Sequence, residues 1–90
     1  MAAQTFPINN VGDVYHFVER LKVQCQENGQ AELCKKLDDA LHLGNSGLEI
    51  IGAIQQTLKN NYNVIEQLLG SEGKIVAGRV IAFVDKSFGR

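Results

Sequence analysis

Pro7 is the only proline in this 90-residue chain. Everything after it is therefore open to uninterrupted helix, because no ring removes an amide donor or clashes with the preceding turn. The apolar residues that follow recur at helical rather than strand spacing. At 100° per residue, Val14, Phe17, Val18, Leu21 and Cys25 fall within an arc of roughly 100°, while His16, Arg20 and Glu27 lie off it. Asn10 offers an N-cap, with Asp13 three residues on, and Asn28-Gly29 supplies a left-handed stop. The pattern predicts a first helix over 10–28, preceded by an irregular arm at 1–9.

Leu33, Leu37, Ala40 and Leu41 form a second stripe, and a second helix is expected over 31–43. Glu32 and Lys36 stand four apart in the favourable order for an ion pair. Gly44 then stops the helix. Ser46-Gly47-Leu48-Glu49 has the form of a capping box, in which the Ser and Glu side chains satisfy free amides reciprocally. Leu48, Ile50, Ile51, Ile54 and Leu58 continue as one apolar face. Tyr62, Ile65 and Leu69 stay in phase with it, despite asparagines at 60, 61 and 63. That phase fits one helix over 46–69, kinked near 60–63, as well as two short ones, with Gly70 as the end. Residues 71–88 carry two patterns. The even positions Val76, Gly78, Val80, Ala82 and Val84 alternate like a strand, whereas Val76, Val80, Phe83, Val84 and Phe88 gather on one side of a helix. Helix is the expected form, since the pattern is helix-sized and no turn signal supplies a partner strand. The expected fold is a single all-α domain, a bundle of about four helices joined by short loops.

Charge narrows the partners. The first 45 residues carry four Lys/Arg against six Asp/Glu, and the last 45 carry five against four. Neither half has the cationic excess that neutralising phosphates requires. The start, MAAQTFPINN, has neither the basic nor the apolar region of a signal peptide. The most apolar run, Ile75–Val84, is half the length of a membrane span and contains Arg79. A cytoplasmic protein without a membrane segment is the expectation.

Motifs for chemistry are sparse. Gly47 and Gly52 have the spacing of a phosphate loop, but Ala53-Ile54 stands where Lys and Ser/Thr would hold phosphate and Mg²⁺. His16, Cys25, Cys34 and His42 lack the spacing of a zinc site, and His16 faces away from Cys25 on its helix. Asp38 and Asp39 are adjacent and diverge by 100° on a helix, so they form no converging carboxylate pair. No catalytic residue, cofactor, metal or small-molecule substrate is expected. Cys25 and Cys34 flank Gly29-Gln30 symmetrically, which predicts a thiol contact across the first hairpin.

What is left is surface. Between Lys36 and Lys59 the only charges are Asp38, Asp39 and Glu49. Gly47, Ile51, Gly52, Ile54 and Leu58 are the expected packing or interface residues. Gly47 lies on the apolar stripe, and Gly52 lies on the polar side without an internal reason. The functional expectation is a non-catalytic protein–protein interaction domain, forming a homodimer or binding another protein. The alternative is a helix-turn-helix regulator using residues 31–60. Its exposed face would offer Glu49, Gln56 and Lys59 and no arginine, a poor set for reading bases and phosphates.

Overall fold

A computed structural model describes residues 7–44 and 46–89. Four helices follow one another: α1 (Val11–Glu27), α2 (Ala31–Leu41), α3 (Gly47–Asn60) and α4 (Tyr62–Ser87). There is no strand among the described residues, so the alternating reading of 71–88 falls away. Most of the irregular arm, residues 1–6, lies outside the described residues. Of the rest, Ile8 packs half-buried against the core.

α1 forms as its caps dictate. The Asn10 side chain accepts from the Asp13 amide at 2.9 Å, and the Asp13 carboxylate accepts from the Asn9 amide at 2.9 Å. These bonds occupy donors that a helix start leaves free. Its five buried residues are Val14, Phe17, Val18, Leu21 and Cys25, the stripe read from the sequence. At its end Gly29 takes φ 73°, and the Gln30 amide reaches back to the Cys25 carbonyl at 2.8 Å. This is a Schellman closure, which the left-handed glycine permits.

α2 buries Leu33, Leu37 and Ala40 and stops at Leu41, two residues before the expected end. The His42 amide bonds Asp39 O at 3.2 Å and the Leu43 amide bonds Ala40 O at 3.3 Å, so the last turn tightens to i→i+3 bonds. The ion pair along α2 is Lys35–Asp39 at 3.1 Å rather than Glu32–Lys36, whose side chains stand in solvent.

Of the two forms left open for 46–69, one kinked helix or two, the chain takes two. Asn61 takes φ −126°, ψ 25° and serves as the end of α3 and the start of α4. Its side-chain amide donates to the Thr57 carbonyl at 2.9 Å, and its backbone carbonyl accepts from the Ile65 amide at 3.0 Å. Asparagine thus supplies the bonds that the broken ladder loses. The apolar phase survives the break, which is why periodicity alone left both forms open.

α4 is itself divided at Gly70, the stop expected from the sequence, where φ 76° and ψ −170° leave helical space. That region is open in practice only to glycine. The turn brings Gly73 so close to Leu69 that a methyl on Gly73 would overlap the Leu69 side chain. Beyond the turn, residues 71–87 run antiparallel to α3. Gly52 meets Phe88, Gln55 meets Ile81 and Asp85, and Tyr62 meets Lys74 and Gly78, in descending order along α4. α1 packs on all three other helices, α3 packs on α2 and α4, and α2 and α4 lie apart. Val76, Ala77, Val80 and Val84 close the core from the α4 side.

Replacing Gly70 with Ala should cost about 1–3 kcal/mol through backbone strain. Gly73→Ala should cost a similar amount, about 1–3 kcal/mol, through overpacking on Leu69. Gly47→Ala, where a methyl meets open space, should be neutral or stabilising by up to about 1 kcal/mol. Urea unfolding of the three variants checks this ranking.

Candidate functional site

The α2–α3 connection builds an apolar end on the molecule. Ser46 caps α3, its hydroxyl accepting from the Leu48 amide at 3.2 Å. The Glu49 carboxylate folds back over Gly44, with Oε1 2.7 Å from where a Cβ on Gly44 would stand. Gly44 lies three residues beyond the end of α2 and takes no left-handed φ, so it is not the stop expected from the sequence; its missing side chain instead leaves room for the Glu49 carboxylate. Leu43 and Leu48 flank this loop and are 62% and 49% exposed.

Gly52 follows Leu48 by one turn on the same face of α3. A Cβ there would lie 3.1 and 3.3 Å from the Phe88 ring. The place of Gly52 on the polar side left open a neighbour from this chain or from a partner; the fold supplies one from this chain. The α4 end crosses α3 here, and the missing side chain lets the aromatic ring lie close to the helix. Phe88 still presents 38% of its surface to solvent. Leu48 and Phe88 thus both lie by the first two turns of α3, Leu43 precedes that helix in the α2–α3 loop, and all three are exposed.

Of the other residues expected to pack or to meet a partner, Ile51, Ile54 and Leu58 are buried inside this chain's own core at 1% exposure or less. They are packing residues and offer no outer surface. Gly47 is exposed, and a methyl group placed on it would find no neighbour within 4 Å, so it makes no close backbone contact. The side that a recognition helix would present carries Glu49, Gln56 and Lys59, all exposed, and its second turn is crossed by Phe88.

Gln55 did not stand out in the sequence. It is buried at 4% exposure, and its amide nitrogen donates to the Ile81 carbonyl at 2.9 Å and to Asp85 Oδ1 at 2.8 Å. This clasp sets the register between α3 and α4, one turn from the Gly52–Phe88 contact. A signal existed: position 55 lies four from Ile51 and three from Leu58, on the edge of the buried stripe.

A second feature lies between α1 and α2, an open groove of about 570 Å³ lined by Lys22, Cys25, Cys34, Lys35 and Asp38 among others. Lys22 and Asp38 bridge it at 3.0 Å. The bond raises the Lys22 pKa and lowers that of Asp38. Both cysteines are free thiols, and burial pushes Cys25 up to about 11, with Cys34 adding to the shift. His16 and His42 are both exposed, one on α1 and the other at the C-terminal cap of α2. Among the described residues no three His, Cys, Asp or Glu side chains gather as a metal site. No described helix is long and apolar enough to cross a membrane. In comparison with known proteins, no family model matches the chain, and neither a curated protein nor a solved structure matches it.

Gln55→Ala should destabilise the fold by about 1–3 kcal/mol, because it removes a buried clasp of two hydrogen bonds; urea denaturation reads this directly. The Lys22–Asp38 bridge contributes fully above 3.8, the ordinary Asp value, and fades as pH falls through the lowered folded-state value. On the basic side it is full below 10.5 and fades as pH rises through the raised Lys22 value. The stability difference between the wild type and Lys22→Met should therefore be flat between these limits and shrink in acid. Iodoacetamide at about pH 8 should alkylate Cys34 in the native protein and reach Cys25 only after unfolding, since a buried neutral thiol is a poor nucleophile.

Proposed function

We propose that this chain is a non-catalytic protein-interaction domain that pairs with a second copy of itself through the apolar end formed by Leu43, Leu48 and Phe88. The observation that carries this reading is that Leu43, Leu48 and Phe88 are all exposed, with Phe88 on Gly52 one turn from Leu48 and the Glu49 carboxylate over Gly44. A two-fold interface must be complementary to itself. An apolar patch meets that condition without like-charge repulsion, and the stretch Leu43–Leu48 carries no charged residue. Size adds to the argument, because small single domains bury a modest core and association extends it.

The helix-turn-helix reading draws less support. Its recognition face carries one cation, Lys59, against Glu49, and Phe88 occupies part of the surface that would enter a groove.

Light scattering over a wide concentration range tests the proposal. The wild type should pass from monomer to dimer, and Leu48→Glu or Leu43→Glu should hold it monomeric with unchanged helical circular dichroism. A wild type that stays monomeric throughout removes self-pairing. Salt-sensitive binding to duplex DNA would transfer support to the regulator.

A further inference from the structure

The groove between α1 and α2 contains both cysteines of the chain. The Cys25 carbonyl accepts from the Gln30 amide at 2.8 Å, and the Gln30 carbonyl accepts from the Cys34 amide at 3.0 Å. One residue therefore ties the two cysteine backbones together. Each cysteine stands about one turn into its helix from the loop, and both line the same open space. Their access differs. Cys25 is fully buried, whereas Cys34 is partly exposed, with Lys22 and Lys35 also lining the groove. Lys22 is paired with Asp38 and Lys35 with Asp39, and the partly exposed thiol is the one a reagent in solution can reach.

We propose that this groove is a thiol–disulfide exchange site, at which a small-molecule disulfide of the glutathione class converts Cys25 and Cys34 into an internal disulfide that staples α1 to α2. Cys34 loses its proton to solvent, and its sulfur attacks one sulfur of the reagent. The reagent's S–S bond breaks and one thiolate leaves, giving a mixed disulfide on Cys34. Cys25 then loses its proton, attacks the Cys34 sulfur and expels the second thiolate. Two cysteine thiols are oxidised to one disulfide, and the reagent is reduced to two thiols. Burial sets the order, because only Cys34 meets the reagent. The protonated state of Cys25 makes the second step the slower one. The site lies at the opposite end of α2 from Leu43, so it stands apart from the proposed pairing surface.

Equilibration of the native protein with mixtures of reduced and oxidised glutathione, followed by acid quenching, alkylation and intact mass, tests this. The wild type should yield a species short of two hydrogens and closed to alkylation. Cys25→Ala should instead accumulate one glutathione adduct on Cys34, and Cys34→Ala should leave Cys25 unmodified. The internal bond should be favoured by about tenfold or more in native buffer over denaturing urea, since the folded hairpin holds the thiols together. A native protein that stops at the mixed disulfide, or an internal bond no more favoured when folded, overturns the proposal. The wild-type comparison decides the matter even where a variant fails to fold.

Discussion

The reversal of the chain at Gly70 is the constraint on which the rest of the bundle depends. α3 presents Ile51, Ile54 and Leu58, and residues 71–87 present Val76, Val80 and Val84. These faces can cover each other only if the chain turns back between them. Gly70 makes the turn by leaving helical space, and Gly73 makes it tight by accepting Leu69. Tyr62 then secures the fold-back: its hydroxyl donates to the Lys74 carbonyl at 3.1 Å, the Lys74 ammonium lies 5.3 Å from its ring centre, and Glu66 pairs with Lys74 at 3.5 Å. Each contact is modest, but all act on the same turn.

Once that turn is made, the surface follows. The antiparallel register, held by Gln55, carries the α4 end onto the start of α3. Phe88 then lies on Gly52, one turn along α3 from Leu48. The proposed pairing surface is thus a product of three distant pieces of chain. The thiol groove has a different origin. It is made by one local hairpin, whose Schellman closure and Gln30 bonds need nothing from α3 or α4.

Much of the architecture was legible in the residues. Asn10, the Val14–Cys25 stripe, Gly29 and Gly70 act locally, through caps, backbone conformations and periodicity that a linear reading detects. The asparagines marked the place of the break near 60–63, but whether it was a kink or a full break was not legible, because the helix restarts in phase and the stripe runs on. Nor was the role of Gln55, since a polar residue at the edge of an apolar face looks like surface until its acceptors on Ile81 and Asp85 are in place.

The sequence by itself determined the all-α class, the stops at Gly29 and Gly70 and the identity of most core residues, because these follow from spacing and short-range backbone chemistry. Only the tertiary structure decided which glycines are close contacts and which apolar residues reach water. Gly47 and Gly52 look alike in a string, yet one faces open space and the other an aromatic ring. Leu48 and Ile51 belong to one stripe, yet Leu48 is half exposed and Ile51 is buried. The physical reason is that a helix face is wider than any one neighbour, so the neighbour's position selects which part of the stripe becomes core and which becomes surface.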